Sequence, residues 1–406
     1  MPTKMRPSRS TIALDEAKAL IDDAIRPIDR TERVPIGHGN GRVLAEDVVA
    51  TADVPPFARA AMDGYAVRAQ DTAGATREHP RALKRVATVF TGQIAERAVG
   101  PGECIEIATG APIPDGADAV VIVEDTDGEA SGSVRVFAPV NPGQNIGPQG
   151  ADIKRGQQVL CSGVQLTPSR IGAVAALGRA EVQVYARPRV AILSTGNELV
   201  EPGQPLGPGQ IYDINRFSVA AVVSEHGGMA VPHRTAVDTV DDLSRAIDEC
   251  LQDDLLVFSG GSSVGERDLI LDALTSRGEL IFHGVAVKPG KPTAFGRVAG
   301  KLFFGMPGYP TSCLSNAYVL LLPALRRIAR LPPHFVRSVT LPLSQQISSA
   351  PGRHQIYTVR IVDGRAVPAF KASGDITSMS QADGYIEIPA DTDAVGAGQM
   401  VEVKLF

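Results

Sequence analysis

Two stretches of this chain and three separate carboxylates could do chemistry. In Leu255-Leu256-Val257-Phe258-Ser259-Gly260-Gly261-Ser262-Ser263-Val264-Gly265 an apolar run ends in a glycine- and serine-rich turn. A backbone without Cβ atoms can bring its N–H groups close to a phosphate. The hydroxyls of Ser259, Ser262 and Ser263 would add donors. The same pattern also makes an ordinary strand-to-helix turn, and no Gly-Lys-Ser/Thr follows, so it is not a Walker loop. In Lys288-Pro289-Gly290-Lys291-Pro292, two lysines three positions apart are held by two prolines and a glycine. Rigid backbone and paired cations suit a small oxyanion. Solvated surface lysines are commoner, but they need no such restraint. Glu198, Asp238 and Asp268 lie near the ends of strand-like runs, and carboxylates beside a phosphate turn suit Mg²⁺. Helix capping competes with that role, most strongly for Asp268, which precedes Leu269-Ile270-Leu271, and for Asp213.

These residues need elements to position them. From Thr11 apolar residues recur at helical spacing (Ile12, Ala17, Leu20, Ile21, Ala24, Ile25) until Pro27. From Arg59 to Gly150 short apolar runs (Val86–Phe90, Cys104–Ala108, Ala119–Val123, Val134–Val136) alternate with turn residues, which predicts a β-rich domain. Residues from Thr167 to Leu177 read as a helix and Glu181–Tyr185 as a strand, both expected to pack with the first helix in a discontinuous domain. Beyond Arg187-Pro188 strands (Val190–Leu193, Thr235–Val237, Leu255–Phe258, Gly284–Val287, Lys301–Phe304) alternate with helices. The helices run from Asp213 to Glu225, Asp241 to Leu251, Asp268 to Ser276 and Ser312 to Arg330. That rhythm predicts an open, mostly parallel sheet with ligands outside the strand carboxyl ends. After Leu331-Pro332-Pro333 comes a small β domain. The expected fold is multidomain α/β plus β, with boundaries 9–57 plus 151–187 (mixed, discontinuous), 58–150 (β-rich), 188–331 (central α/β) and 332–406 (C-terminal β).

Composition narrows the function. The chain has 406 residues and a formal net charge of −5, which leaves no electrostatic footprint for nucleic acid. An anionic substrate therefore needs a local cationic pocket. The basic, polar start has no apolar core behind it, and no run would cross a bilayer, so a cytoplasmic location is expected. The four cysteines are far apart and lack C-x-x-C spacing, which gives neither a zinc site nor a disulfide framework.

Pro55-Pro56-Phe57 leading to Met62-Asp63-Gly64-Tyr65-Ala66-Val67, then Thr109-Gly110-Ala111-Pro112 and Gly116-Ala117-Asp118-Ala119-Val120-Val121, read as turns around strands. In order with Ser194-Thr195-Gly196-Asn197-Glu198-Leu199, the Ser259 turn, the lysine turn and Gly305-Met306-Pro307-Gly308-Tyr309-Pro310, they resemble the molybdopterin molybdenumtransferases of molybdenum-cofactor synthesis. The resemblance runs from about Ala13 to the C-terminus. Ala60, Asn197, Gly284 and Tyr309 depart from the family pattern.

The resemblance implies a homodimer of four-domain subunits, whose active site is shared between the α/β domain of one chain and the β-rich domain of the other. It implies a Mg²⁺-dependent transferase that inserts molybdate into adenylylated molybdopterin and releases AMP. By the same resemblance Lys288, Lys291 and Ser312 hold molybdate, closed in by Arg353 and Ser373; Ser259, Gly260, Gly261 and Ser263 belong to the candidate phosphate turn read above from its glycines and hydroxyls. Glu198, Asp238 and Asp268 handle the metal and the adenylyl phosphate, and Asp63 and Thr109 come from the partner subunit. A non-catalytic scaffold on the same fold and a generic nucleotide-phosphate hydrolase are the competing readings.

Overall fold

The computed structural model describes residues 11–128, 132–233, 235–236, 239–260 and 269–406. The chain divides into two compact units, one holding the segments up to Arg33, Gly41–Ala45 and Gln183–Phe406, the other Val34–Asn40 and Glu46–Val182. Among the described residues no helix is long and apolar enough to cross a membrane.

The first unit is built on a six-stranded sheet. Its strands are Arg189–Ser194 (β1), Met229–Pro232 (β2), Leu255–Ser259 (β3), Gly278–His283 (β4), Ala294–Val298 (β5) and Lys301–Met306 (β6), in the order β2-β1-β3-β6-β5-β4. The first four in that order are parallel, while β5 and β4 close the far edge antiparallel. Side chains alternate between faces along each strand. Val190, Ile192, Val257 and Phe304 therefore enter one core, and Ala191, Leu193, Phe258 and Phe303 the other. Helices Asn215–Glu225 and Pro310–Asn316 cover the first face, and Val240–Cys250 and Leu269–Thr275 the second. The N-terminal helix Leu14–Ala24 adds Leu14, Ala17, Ile21 and Ala24 to the first core, and Ile12 bridges to Val285.

Three expectations shift. The strand next to Arg189–Ser194 is Met229–Pro232; of the run expected at Thr235–Val237, Ala236 makes an isolated bridge to Thr195, and Val237 lies outside the described residues. The strand expected at Gly284–Val287 splits: Gly278–His283 is the sheet edge, and Val287–Lys288 belongs to another sheet. The long helix from Ser312 starts at Pro310 and contains a π-helical turn, Ala317–Leu321, before Leu322–Ile328. That turn sits just ahead of Pro323, whose ring and missing N–H would break a regular α-helical ladder.

The C-terminal residues form a second sheet of the same unit, from Val287–Lys288, His354–Val362, Gly384–Ile388, Met400–Leu405 and Ser338–Pro342 in that order, with Arg365–Pro368 paired to His354–Val362. Val287–Lys288 lies parallel to His354 and Gln355. Glu387 bridges this sheet: its carboxylate lies 3.2 Å from His354 Nε2 and accepts from Lys404 Nζ at 2.8 Å. The hydrogen bond from His354, then that from Lys404, hold the Glu387 carboxyl down at about 2, below its ordinary 4.5. A depressed carboxylate stabilises the fold above its unfolded value, and that contribution is lost as pH falls through the folded one. Wild type should thus lose melting temperature more steeply than Glu387→Gln between pH 4.5 and 2. Parallel acid limbs for the two proteins would remove Glu387 from the account.

The second unit holds a six-stranded sheet in the order Ala119–Ile122, Gly64–Val67, Glu103–Ile107, Arg81–Val89, Ser133–Val136, Thr126–Gly128. It is antiparallel except where Arg81–Val89 runs beside Glu103–Ile107. Both faces are covered: Tyr65, Cys104 and Val121 enter one core, Ala66, Ile105 and Val120 the other. Gly64 is required by close approach, since a Cβ there would lie 1.9 Å from the Val121 carbonyl oxygen.

Candidate active site

In the first unit a cavity of about 980 Å³ opens at the carboxyl ends of the parallel strands. From β1 the chain leads left to β2, and from β2 it returns to β3 on the other side of β1. This reversal of strand order is where open α/β sheets place ligands. The wall there is Thr195 after β1, Ser259 and Gly260 from β3, and Pro307 and Gly308 after β6. Gly260 has φ +103°, and a Cβ on it would lie 2.2 Å from the Thr195 carbonyl oxygen, so only glycine lets the two strand ends approach. Ser194 Oγ donates to Asp213 Oδ1 at 3.0 Å and lies 3.1 Å from Ser259 Oγ. Asp213 Oδ1 also accepts from the Arg216 backbone N–H at 3.1 Å, the capping role anticipated for it, yet the buried Asp213 also lines the cavity.

The lysine turn lines the same cavity. Lys288 and Lys291 are half-buried and both line the cavity. Their backbone is pinned from several sides. Lys288 pairs with Gln355 in the C-terminal sheet. The Lys291 carbonyl accepts from the N–H groups of Val285 and Thr293, each at 2.9 Å. Ser312, in the first turn of the Pro310–Asn316 helix, is buried and lines the same space. Arg353, Ser373 and Gly374 complete the rim; the Ser373 carbonyl accepts from the Thr311 N–H at 3.1 Å, which ties that loop to the helix start. Glu198 is exposed on the wall.

The structure thus brings together Glu198, Ser259, Gly260, Lys288, Lys291, Ser312, Arg353 and Ser373 around one cavity. Gly261, Ser263, Asp238 and Asp268 lie outside the described residues. Asp63 and Thr109 belong to the second unit and meet each other there. Asp63 Oδ1 accepts from the Thr109 N–H at 2.6 Å and from its hydroxyl at 2.9 Å. Those two bonds, the backbone one first, hold the exposed carboxyl below its ordinary value.

One part of the site went unread in the sequence. Leu206, Ile211, Tyr212, Ile214 and Tyr309 give the cavity an apolar side although each is exposed. Asn215 joins them and donates to the Gly308 carbonyl at 2.8 Å. The available signal was Ile211-Tyr212 in a Gly/Pro-rich stretch, where large apolar groups have no core to fill.

A sheet covered by helices on both faces, with paired cations, hydroxyls and an apolar side lining one cavity at its switch point, defines an α/β protein with its ligand site where open α/β sheets place one. Three family models match it in order: the MoeA N-terminal region (domain I and II) over residues 12–178, a probable molybdopterin binding domain over 191–327, and the MoeA C-terminal region (domain IV) over 340–406. The chain is 38% identical over 391 residues to molybdopterin molybdenumtransferase 2 of Mycobacterium tuberculosis, covering 94% of this chain and 95% of that one. It is 32% identical over 403 residues to molybdopterin molybdenumtransferase of Haemophilus influenzae, covering 97% and 98%. The chain belongs to the molybdopterin molybdenumtransferase (MoeA) family. Its fold matches the solved molybdopterin biosynthesis moeA protein of Pyrococcus horikoshii with a TM-score of 0.84 at 37% identity, covering 98% of this chain and 99% of that one.

Proposed function

We propose that this chain is a molybdopterin molybdenumtransferase that inserts molybdate into adenylylated molybdopterin and releases AMP. The observation that carries the reading is the pinned lysine turn lining, together with Ser312, one cavity at the sheet's switch point. Two ammonium groups and a hydroxyl suit a small tetrahedral dianion, and their fixed backbone lowers the ordering cost of holding it. The apolar side formed by Ile211, Tyr212 and Tyr309 suits a flat heterocycle, and the Ser259-Gly260 turn a phosphate. A water oxygen attacks the adenylyl phosphorus and gives up a proton to solvent, the anhydride P–O bond breaks with its electrons going to the departing pterin phosphate, and the adenylyl group, now carrying the water oxygen, is released as AMP. The lysines place molybdate beside the dithiolene while Arg353 and Ser373 close the rim.

A Mg²⁺ ion is part of this reading. Glu198 offers a carboxylate at the cavity wall, which fits an ion that takes one or two carboxylates and completes its shell with water and substrate oxygens. Such an ion would neutralise phosphate charge when bound. Among the described residues no cluster of three acidic, histidine or cysteine side chains is built to hold a metal. We further propose a homodimer in which the Asp63–Thr109 pair of one chain serves the lysine cavity of the other, and a cytoplasmic location.

Purified chain incubated with adenylylated molybdopterin and Mg²⁺ should release AMP in a molybdate-dependent manner. A scaffold would release none, and a general nucleotide-phosphate hydrolase would release AMP without the pterin. Lys288→Ala and Lys291→Ala should each weaken molybdate binding about tenfold or more, the worth of one charge-assisted hydrogen bond. Both side chains are half-buried at the cavity, so the melting curve should move little. Wild-type affinity in both variants, read by calorimetry, would sink the oxyanion pocket.

A further inference from the structure

We propose that Asn316 is a positioning residue that holds the lysine turn in register with the Ser312 helix turn, so that both present their groups to one oxyanion. This rests on the reading of Lys288 and Lys291 as the anion ligands. Asn316 lies one helical turn beyond Ser312, on the same side of the helix. Its side chain is buried, at 1% exposure. Its Nδ2 donates to the Gly290 carbonyl at 2.8 Å and to Thr293 Oγ1 at 2.5 Å. The buried Thr293 hydroxyl in turn donates to the same Gly290 carbonyl at 2.9 Å. One carbonyl, on the residue just before Lys291, is thereby fixed by an amide from the helix and a hydroxyl from the residue that precedes β5. The fit leaves no slack: a Cβ on residue 290 would lie 2.3 Å from Asn316 Nδ2.

The amide is not there for packing alone. Asn316 Oδ1 is buried without a hydrogen-bond partner, and an unsatisfied buried acceptor costs stability that an apolar side chain of similar size would not. What the asparagine supplies in return is its two donor contacts, one to the lysine turn at Gly290 and one to Thr293 directly after it. Proline rings restrain the turn from within; Asn316 fixes it relative to the rest of the pocket.

The test uses the full chain and inorganic molybdate as the calorimetric probe, with a melting curve for every variant. Asn316→Leu removes the donors while filling the space, and Thr293→Val removes the hydroxyl while keeping the shape. Each should lower molybdate affinity about tenfold. Thr293→Ser, which keeps the hydroxyl, should stay within about twofold of wild type. Once Lys291 is alanine, Asn316→Leu should add at most about twofold, because less charge remains to be positioned. Should Asn316→Leu fail to fold, the Thr293→Val and Thr293→Ser pair carries the test alone. Wild-type affinity in Asn316→Leu and Thr293→Val, with the lysine variants weakened, overturns this inference and leaves the lysine reading standing. Equal losses with and without Lys291 show a general structural effect and overturn it too. If Lys288→Ala and Lys291→Ala bind molybdate like wild type, or wild type binds none, the lysine reading falls and this inference with it.

Discussion

Asp63→Ala and Lys288→Ala chains, each nearly inactive alone, should recover about a quarter of wild-type activity when unfolded together in equal amounts and refolded. The expectation follows from the proposed sharing of each site between two chains. An isologous dimer has two equivalent sites, each taking the Asp63 region from one chain and the Lys288 region from the other. Random pairing makes about half of the dimers mixed, and each mixed dimer has one doubly damaged site and one intact site. Asp63 is well suited to being read this way. Its carboxylate is exposed, and its two bonds are to Thr109, so alanine removes a charge without opening a core. A site confined to one chain forecasts no recovery, since every site would keep one lesion. Sizing of the refolded mixture is the control. Dimers without activity would end the shared-site proposal, and a monomeric product would end the dimer.

Phe304→Ala should produce the largest loss of stability in the first unit. Phe304 lies in β6 between Val257 of β3 and Phe295 of β5, fully buried. Its ring sits 4.8 Å from that of Phe295, which is 5.7 Å from Phe282, so three aromatic rings fill the antiparallel side of the sheet. Truncating a buried phenylalanine to alanine costs about 3–5 kcal/mol in lost transfer energy and cavity. Against a total stability of about 5–15 kcal/mol, this should lower the melting temperature by roughly 10 °C. Phe304→Leu should recover most of the loss, because volume is largely kept. A shift under about 1 kcal/mol for the alanine variant, by denaturant titration, would contradict this packing.

Much of the central sheet was legible because buried parallel strands read as unbroken apolar runs. Leu255–Ser259 and Lys301–Met306 are of that kind. The edges were harder. Met229–Pro232 ends in proline, which argues against a central strand but is tolerated at an edge, and β2 is an edge strand. Gly278–His283 is half-covered at the other edge and carries too weak an alternation to stand out. The amphipathic N-terminal helix announced that one face is buried, but no local pattern names the surface that receives it. At the site, glycines and lysines were visible because their restraint is written in neighbouring residues. Asn316 was not, since its partners, Gly290 and Thr293, are 26 and 23 residues away. The apolar side of the cavity escaped because Ile211 and Tyr212 look like stray surface residues until the fold gathers them.

The short pairing of Val287 and Lys288 with His354 and Gln355 has a consequence for how this protein can be taken apart. The oxyanion turn grows out of the α/β layer, yet its first lysine is stitched into the C-terminal sheet, which also lends Arg353 to the cavity. The last seventy or so residues are therefore no detachable cassette. Swapping them for those of a relative would exchange a supporting strand of the anion site along with them, so any change in that tail must be compatible with the geometry of a loop encoded some fifty residues earlier. Selection on the chemistry then reaches into a segment that holds no part of the parallel sheet, and the two layers are bound to evolve as one piece.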